Sequence, residues 1–531
     1  MKKLLALVLA LGILMSVGAN ALAVNDAIPF QGKFPISEEP IEMTAFTTDL
    51  YYKRTDFQNL KIWDYMKELT NVSFQYEAYP DSDISEKFSL MLTRPDDQLP
   101  DVIYRVGISN AEVMQLAADG IIVPITDLLE EYAPHYYYQI QHNPALKAYV
   151  TMNDGEIYGM AQLYYATNYV TPPLFVHEAW LKALGYDEVP ADTEEFKQLL
   201  IKFRDSDLNG NGEKDEVGLI GTNFAGLIRM FGGAFGINTR GRGSQYLDDD
   251  ENGNLRFIPT SDGYRKMITY VKDLYQEGLI YPEIFSSSIK NMTAVGEQNR
   301  VLIGKGSLHY LGANNRENYV GMNTMLKGPD GYQFNADIGY EIGTQNTFFT
   351  ANCDHIKEAL QFFDYFYSTE GVNLYFMGFE HETYEFDENG LPWYNDYVQH
   401  NPDGLINEEV LGLYVPWGGA DNPSIYNDAT FGNNMYTPME SSVCAERIKY
   451  RLDKEAWGSF NYSDEEYDRL AILEGDINTY VSDMRAKFVT GDADIEKDWD
   501  TYVATLNRMG LEELMGIYAK GLERYQKAIA E

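Results

Sequence analysis

An acidic and amide-rich stretch, residues 205–216, constrains this chain more than any other segment. Side-chain oxygens alternate along it, with glycines between them, at Asp205, Asp207, Asn209, Asn211, Gly210 and Gly212. This alternation lets a tight loop turn successive oxygens toward one hard cation, while glycine supplies the sharp bend. The segment therefore predicts a calcium-binding loop.

The loop pattern fits the sequence in two registers. The helix-loop-helix calcium pattern D-x-D/N-x-D/N-G-x5-E places Asp205 first and Glu216 last. The second register begins two residues later and uses these oxygen donors: Asp207, Asn209, Asn211, the Glu213 carbonyl, Asp215 and Glu216. A solvated turn without a metal is the alternative. A cation enclosed by protein oxygens would stabilise structure and would not imply a reaction.

The N-terminus is typical of a secretion signal. Lys2 and Lys3 precede the apolar run 4–17, and small residues follow at Ala19, Ala21 and Ala23 as a cleavage site. The apolar run is shorter than the ~20 residues that span a bilayer, and no later segment qualifies. Cleavage after Ala23 would leave about 500 residues, which is too long for one ordinary core and predicts at least two lobes.

Charge and aromatic content narrow the function classes. The formal net charge is −40, from 41 lysines and arginines against 81 aspartates and glutamates. Such a charge argues against nucleic acid and anionic membrane surfaces as partners. It suits an extracytoplasmic protein in a compartment with free calcium. The 41 tyrosines offer rings that stack on sugars and hydroxyls that hydrogen-bond, although most must serve the core or the general surface.

Cysteine usage is sparse. Cys353 and Cys444 are the two cysteines of the chain. One disulfide would be no framework for a protein of this length. We expect buried thiols, with a disulfide left open as the alternative.

Apolar periodicity predicts an α/β fold. Strands are predicted at 41–46, 72–76 and 101–104, and helices at 59–69 and 110–118, so that the two types alternate. Farther along, Asp192 and Glu195 form a helix start that precedes an apolar stripe. This helix is predicted to run directly into the 205–216 loop. The acidic segments 248–254 and 387–390 predict hairpin turns, and much of the chain after residue 445 is predicted to be helical.

Several blocks in a shared order resemble the extracellular solute-binding proteins, family 1, of carbohydrate ABC transporters, and especially the long calcium-loop members that handle oligosaccharides. The blocks are residues 101–104, 118–134, 176–185, 207–216, 277–283, 360–371 and 378–384. Residues 176–185 are similar to the family's R-x-D-W-L-D-K-L-G helix, and residues 207–216 to its D-x-N-G-N-G-x-K-D-E loop. The resemblance covers roughly residues 40–400 and favours the register that begins at Asp207.

The resemblance implies a periplasmic-binding-protein type II fold, with two α/β lobes joined by crossing segments and a ligand cleft between them. Analogy places the crossings near residues 162–169, 325–327 and 370–375. The implied division is a signal peptide at 1–23, an N-terminal lobe of 24–165 and 328–372, and a C-terminal lobe of 166–327 and 373–531. Ligand would close the hinge and present one composite surface to a permease.

The resemblance also implies a function. The protein would bind an oligosaccharide or other carbohydrate and deliver it unaltered, as a monomer, to transmembrane ABC permease subunits. Sugar recognition needs flat aromatic faces and polar groups. Family position suggests these ligand contacts: Tyr104, Asn110, Arg229, Phe231, His309, Tyr310 and Trp417. Each of them alone fits a structural role as well. Calcium would be a structural ion held by the loop.

The signal region departs from the family in one respect. Relatives from Gram-positive bacteria usually carry a lipobox cysteine for membrane anchoring, whereas this chain has Gly18-Ala19-Asn20 in the expected place. We therefore expect a periplasmic or secreted protein, with cell-surface association left open.

The sequence leaves two alternatives to carbohydrate delivery. A secreted glycoside hydrolase would use two carboxylates ~5–10 Å apart, and the sequence does not exclude such a pair. However, it contains no G-x-S-x-G and no H-E-x-x-H motif, since His381-Glu-Thr-Tyr-Glu385 lacks the second histidine. The same fold could instead bind a peptide or another solute. A transport ATPase is excluded because no G-x-x-x-x-G-K-S/T loop is present.

Overall fold

The computed structural model describes residues 27–50, 53–166, 173–240, 246–312, 314–336, 342–416, 423–432, 434 and 438–530. The predicted signal peptide, residues 1–23, and the candidate ligand contact Trp417 lie outside these residues. In the described part of the chain no helix is both long and apolar enough to cross a membrane.

The strands, in chain order, are β1 (Ile41–Thr48), β2 (Val72–Tyr79), β3 (Val102–Ile108), β4 (Gly159–Tyr164), β5 (Leu174–His177), β6 (Val217–Gly221), β7 (Leu247–Asp249), β8 (Leu255–Phe257), β9 (Val301–Lys305), β10 (Tyr319–Gly321), β11 (Ile342–Phe349), β12 (Tyr384–Phe386), β13 (Pro392–Tyr394) and β14 (Ile425–Tyr426).

The α-helices, in chain order, are α1 (Lys61–Thr70), α2 (Ile84–Met91), α3 (Asn110–Ala118), α4 (Leu129–Tyr132), α5 (Pro134–His142), α6 (Pro144–Val150), α7 (Glu178–Ala183), α8 (Thr193–Arg204), α9 (Phe224–Gly232), α10 (Asp262–Gln276), α11 (Ile289–Glu297), α12 (Ile356–Asp364), α13 (Thr369–Met377), α14 (Asp396–Gln399), α15 (Asn407–Leu411), α16 (Pro438–Arg447), α17 (Asp464–Thr490), α18 (Ile495–Arg508) and α19 (Leu511–Ala530). The predicted α/β class is confirmed.

The chain forms two compact units, each assembled from separate stretches. Unit 1 consists of residues 1–165, 342–434 and 525–531, and unit 2 consists of residues 166–341 and 435–524. The chain therefore passes between the units after residues 165, 341, 434 and 524.

Unit 1 is built on a six-stranded sheet with the order β14-β4-β11-β3-β1-β2. β1 pairs in parallel with β2 and β3, whereas β11 runs antiparallel to β3 and β4. Ile103 of β3 belongs to a core that includes Phe88 of α2 and Val113 of α3. Six of the seven β3 residues are buried, because a central strand with covered faces forms a nearly continuous apolar run.

Unit 2 contains a four-stranded sheet with the order β10-β5-β9-β6. β6 and β9 are parallel, while β5 is antiparallel to both β9 and β10. The core on this sheet includes Phe175, Ile220, Met292, Val301 and Leu311. The hairpin predicted at 248–254 is present: β7 and β8 pair antiparallel in this unit, and residues 250–254 connect them.

The predicted lobe boundaries require correction at two places. Residues 328–341 belong to unit 2 and not to the N-terminal lobe. The predicted crossing at 325–327 is held within unit 2, because the Lys327 amide donates to the Ala191 carbonyl at 2.6 Å and the Thr193 amide donates back to Lys327 at 3.1 Å. The chain leaves the unit only after residue 341.

The second correction concerns residues 373–434, which belong to unit 1 and not to the C-terminal lobe. The predicted crossing at 370–375 lies in α13, where the Tyr375 hydroxyl is 2.7 Å from the Tyr104 hydroxyl of β3. Residues 525–531 also return to unit 1. Within residues 373–434, strand β14 pairs in parallel with β4. This pairing attaches the segment to the sheet of unit 1.

The two cysteines form no disulfide in the structure. Cys353 lies partly exposed in unit 1, and Cys444 is buried in α16 of unit 2. Burial raises the pKa of the Cys353 thiol to about 12, with nearby Asp101 acting in the same direction. The thiol form is therefore favoured at neutral pH.

Candidate functional site

The parallel strands β6 and β9 of unit 2 end at the same edge of their sheet. β6 leads into α9, and β9 leads into a short turn of 3-10 helix, Leu308–Leu311. The two connections meet, since the Lys305 ammonium donates to the Gly226 carbonyl. Gly306 follows with a φ of 133°, a conformation that favours glycine. Ligands of open α/β sheets bind at such carboxyl edges.

The turn after β9 presents two of the predicted ligand contacts, His309 and Tyr310, and both are half-buried. His309 Nδ1 lies 3.2 Å from Arg316 Nη1. Because a guanidinium can only donate, Nδ1 is an acceptor in this contact. Burial lowers the pKa of His309, with Arg316 adding to the effect and Glu440 opposing it. The imidazole is therefore neutral at physiological pH and offers an uncharged edge.

Glu440 of α16 fixes this turn and was missed in the sequence. Its carboxylate is completely buried and accepts from the Leu308 amide at 2.8 Å and from the Ser307 hydroxyl at 3.4 Å. The contact joins residues 132 positions apart, and a local sequence pattern therefore does not predict it. A carboxylate at the start of the turn satisfies amides that the 3-10 helix leaves unpaired.

Two further predicted contacts lie on α9 and face different surroundings. Phe231 is completely buried, and its ring packs against Phe196 at 6.3 Å and Tyr270 at 5.5 Å between centroids. Arg229 is exposed and lies two residues earlier on the helix. The structure therefore places Phe231 in the core of unit 2 and leaves Arg229 accessible.

The two predicted contacts of unit 1 are buried. Tyr104 has no exposed surface, its ring centroid is 4.9 Å from that of Phe363, and its hydroxyl meets Tyr375. Asn110 begins α3 and bonds the Tyr149 carbonyl at 3.0 Å and the Gln345 amide at 3.1 Å. Both side chains serve the interior in this structure. Of the seven predicted contacts, those that are described with exposed surface are Arg229, His309 and Tyr310.

The candidate calcium loop follows α8 as predicted. Asp192 caps this helix by accepting from the Glu194 and Glu195 amides at 2.9 and 3.2 Å. Phe196, Leu199, Leu200 and Phe203 form its buried stripe. The helix ends at Arg204, and its packed stripe therefore holds one end of the loop in place.

Within the loop, oxygens accept backbone amides in successive tight turns. Asp207 accepts from the Asn211 and Gly212 amides at 3.1 and 3.0 Å. Asn209 Oδ1 accepts from the Asn211 amide at 3.0 Å, and Asn211 Oδ1 accepts from the Glu213 amide at 2.7 Å. These bonds are possible because the glycines at 210 and 212 have φ values of 72° and 80°.

Glu216 closes the loop with an unsatisfied carboxylate. The residue is 8% exposed, and both carboxylate oxygens are buried with no hydrogen-bond partner in the part of the chain that the structure describes. Burial raises the pKa of Glu216, and the nearby carboxylates of Asp215 and Asp207 raise it further. Asp207 and Asp215 thus lie near enough to Glu216 to affect its carboxylate, which is the side chain the loop pattern predicts as the last ligand.

Asp205 behaves differently from the other acidic residues of the loop. Its carboxylate pairs with Arg204 Nε at 2.9 Å and with Arg204 Nη2 at 3.0 Å. The geometry therefore favours the register that begins at Asp207. Asp215 also has a protein partner, since Arg300 Nε lies 2.9 Å from its carboxylate. Among the described residues no three His, Cys, Asp or Glu side chains are gathered closely enough to form a metal site by themselves.

Comparison with known proteins identifies the family. The family profile described as bacterial extracellular solute-binding protein matches residues 53–373, which is more than half of the chain. The chain belongs to this family. Its members are extracellular solute-binding proteins.

Two curated relatives extend the match along the chain. The fructooligosaccharide ABC transporter substrate-binding protein FusA of Streptococcus pneumoniae serotype 4 is 25% identical over 547 aligned residues, which cover 99% of this chain and 98% of FusA. Lipoprotein LipO of Bacillus subtilis is 22% identical over 462 residues, which cover 85% of this chain and 86% of LipO.

Solved structures show the same fold. The S. pneumoniae FusA complex with kestose has a TM-score of 0.76 at 22% identity and covers 92% of this chain and 99% of that chain. A FusA structure described as an EF-hand mutant has the same TM-score. The alginate-binding protein AlgQ2, solved without calcium ion, has a TM-score of 0.74 at 21% identity and covers 93% of this chain and 100% of that chain.

Proposed function

We propose that this protein is the extracytoplasmic solute-binding component of an ABC importer, that it binds an oligosaccharide, and that it hands the sugar unaltered to permease subunits. The observation that carries the proposal is the end-to-end match to FusA, which leaves little of either chain unaligned. A shared domain alone would leave the ligand class open, and the proposal therefore rests on sequence similarity along nearly all of both chains.

The edge of unit 2 after β6 and β9 supports a sugar ligand. Tyr310 offers an aromatic face, His309 a neutral polar edge and Arg229 a charged donor, all with exposed surface. This combination suits a ring that stacks on one face and hydrogen-bonds at its rim. These groups are compatible with a neutral sugar and also with an acidic one.

The ligand class is tested by thermal shift with neutral oligosaccharides that include kestose, with uronate oligosaccharides, and with peptides. A ligand at a hundred times its Kd stabilises by ~2.7 kcal/mol. We expect stabilisation by at least one oligosaccharide and none by peptides. Stabilisation by peptides alone would refute the sugar assignment and favour the alternative of a non-sugar solute.

Replacing Tyr310 with alanine should weaken sugar binding by ~1–3 kcal/mol, a magnitude taken from aromatic stacking on other planar ligands. Tyr397→Ala is the matched control, because Tyr397 is an exposed tyrosine of unit 1 with 40% of its surface accessible. Equal affinity of the two variants would remove Tyr310 from the site.

We also propose that the protein is not an enzyme. Incubation with the bound oligosaccharide should leave the chain length of the sugar unchanged in product analysis. Shortened products that disappear when an acidic residue is replaced would instead establish a glycoside hydrolase.

We propose that the 205–216 loop holds a structural calcium ion. The donors would be the side chains of Asp207, Asn209, Asn211, Asp215 and Glu216 and the carbonyl of Glu213. The unpartnered carboxylate of Glu216 supports this set, because a buried charge without a partner is costly and a cation would neutralise it. The EF-hand named for FusA adds support from a relative.

Calorimetric titration of chelated protein with calcium tests this assignment directly. We expect one saturable site that prefers calcium to magnesium and that Asp207→Ala abolishes. Asp205→Asn is the matched control, because Asp205 is paired with Arg204. Calcium binding that needs Asp205 and not Asp207 would restore the other register, and no binding at all would leave a solvated turn.

A further inference from the structure

The sheet of unit 2 continues beyond β6 into residues 279–281. Ile280 forms a parallel bridge with Leu219 of β6, and the Tyr281 amide donates to the Leu219 carbonyl at 2.9 Å. The carboxyl edge of the sheet therefore extends from β9 past β6 to a third parallel segment. Neighbouring strands are ~4.8 Å apart, so two such steps place this segment ~10 Å from β9 along the edge.

The turn that follows this segment is held at the carboxyl edge and carries an exposed ring. The Ser287 hydroxyl donates at 2.8 Å to the carbonyl of Gly221, the last residue of β6. The Phe285 ring packs against Phe224 at the start of α9, with their centroids 4.4 Å apart. Phe224 is 6% exposed, whereas Phe285 keeps 40% of its surface exposed. An exposed aromatic ring therefore lies beside the end of β6.

Tyr310, in the turn after β9, borders the same stretch of the edge. A side-chain carbon built on Gly306 would lie 3.0 Å from the Tyr310 ring and 3.9 Å from the Thr222 methyl group. Tyr310 and Thr222 therefore flank one glycine. Asn223 follows, and its amide nitrogen lies 3.4 Å from the Thr222 hydroxyl. The rings of Tyr310 and Phe285 thus lie at the two ends of a strip of neutral hydroxyl and amide groups.

Charged groups near the Phe285 end do not form a site for a carboxylate. Glu283 and Lys290 flank the turn and have opposite charges. The Arg485 guanidinium lies 5.7 Å from the centroid of Phe224 and interacts with the buried hydroxyl of Tyr264. Acidic sugars are usually held by arginine in bidentate geometry, whereas hydroxyls and amides match the hydroxyls of a neutral sugar.

We propose that Phe285 is a second stacking platform of the sugar site, and that the ligand is a neutral oligosaccharide long enough to reach from Tyr310 to Phe285. This inference rests on the proposed sugar-binding function and specifies its ligand. A span of ~10 Å exceeds one sugar ring, so a ligand that contacts both platforms has more than one unit. Each ring stacks on the apolar face of one unit, and the strip between them hydrogen-bonds to sugar hydroxyls.

Calorimetric titration with neutral sugars of increasing length tests the proposal. The series is fructose, kestose and nystose, or the matching series of whichever neutral oligosaccharide gives the largest thermal shift. Phe285→Ala should not change the affinity for the shortest sugar that binds, and it should weaken binding of the longest about tenfold, within the range of aromatic stacking. Tyr310→Ala should weaken binding at every length.

Three further variants separate stacking from a structural role. Phe285→Tyr keeps the ring and should retain the wild-type affinities. Phe285→Leu keeps an apolar side chain next to Phe224 without a flat face, and it should lose affinity as Phe285→Ala does. Phe386→Ala is the matched control, because Phe386 of β12 lies in unit 1 and is 41% exposed. It should alter binding at no length.

Two results with the variants would overturn the proposal. The first is a wild-type affinity of Phe285→Ala at every length, and the second is an equal loss at every length, which would indicate a structural effect. Tighter wild-type binding of a uronate oligosaccharide than of a neutral one of equal length would refute the neutral ligand. A wild-type protein that binds no oligosaccharide would refute the proposed function itself, and this result is visible before any variant is made.

Discussion

Asp364 in unit 1 and Glu216 in unit 2 are both buried carboxylates, but their surroundings differ. Asp364 is bonded by the His135 ring at 2.5 Å and by the backbone amides of Tyr136 at 2.8 Å and His135 at 3.2 Å. The other ring nitrogen of His135 accepts from the Gln31 amide at 2.9 Å. Among the described residues, neither carboxylate oxygen of Glu216 has a hydrogen-bond partner.

The difference separates a carboxylate with side-chain and backbone partners from one whose oxygens the described residues leave without a hydrogen bond. Burial raises the pKa of Asp364, but His135 and the two amides oppose the rise. For Glu216, burial raises the pKa and the carboxylates of Asp215 and Asp207 add to the rise, so that only backbone contacts at Glu216 and Leu208 oppose it and no side chain does. Unit 1 therefore stabilises its buried charge with its own residues, whereas in unit 2 the calcium ion proposed above would have to supply that stabilisation. Variants of these carboxylates, and measurements with and without calcium, test that contrast.

The largest effect is expected from Asp364→Ala. It leaves His135 and two helix amides without their acceptor, and breaking a buried pair typically costs ~3–5 kcal/mol. Urea denaturation followed by circular dichroism measures the loss. The matched control is Asp396→Ala, since Asp396 pairs with His400 on the surface of the same unit and should change nothing measurable. Equal effects of the two variants would refute the role assigned to burial.

Calcium should produce the next largest effect. At a hundred times its Kd, calcium should stabilise the wild-type protein by ~2.7 kcal/mol over chelated protein. Glu216→Gln should abolish most of this difference, because it removes the buried carboxylate. A calcium-dependent shift that persists fully in Glu216→Gln would show that Glu216 is not a ligand.

A smaller effect of opposite sign is expected when Glu216→Gln is compared with wild type in chelator. Removing an uncompensated buried charge should stabilise the ion-free protein by ~1–2 kcal/mol at neutral pH. The folded-state pKa of Glu216 is raised above its ordinary value of 4.5, so the folded state binds protons more readily than the unfolded state. Wild type should therefore gain stability as pH falls through the folded pKa toward 4.5, and the advantage of the variant should shrink. A constant difference across this range would contradict the assignment.

The smallest effect is expected from Asp205→Asn. Asp205 is exposed and paired with Arg204, so its replacement should alter neither calcium affinity nor thermal stability measurably. The calcium affinities of Asp205→Asn and Asp207→Ala, measured under the same conditions, show which of the two residues is the first ligand of the loop. A calcium affinity that falls equally in both variants would contradict the chosen register.

Local patterns in the sequence predicted local structure well. The cap at Asp192 and the stripe Phe196, Leu199, Leu200 and Phe203 gave α8 its start and its buried face, as observed. The loop pattern predicted a tight loop at this place, and Asp207 and Asn209 accept backbone amides within one. These features depend on residues a few positions apart, and neighbouring residues of one segment are what a single sequence displays.

Features that depend on distant residues were not predictable. β14 pairs with β4 across more than 250 positions, and this pairing kept residues 373–434 in unit 1 against the prediction. Tyr104 is predicted from family position to contact the ligand. In the structure its ring packs against Phe363 in the core, and its hydroxyl hydrogen-bonds with that of Tyr375. Aromatic residues suit cores and sugars equally, and the sequence alone does not say which surroundings they will meet.

The contact of Glu440 with the turn after β9 also sets an order of events during synthesis. Leu308 and Ser307 receive their acceptor only when α16 has joined unit 2. Since a chain emerges from its N-terminus, the ribosome must make more than four-fifths of the polypeptide before this surface can take its final shape. A nascent chain released earlier than Glu440 would carry His309 and Tyr310 without the geometry that the finished protein gives them.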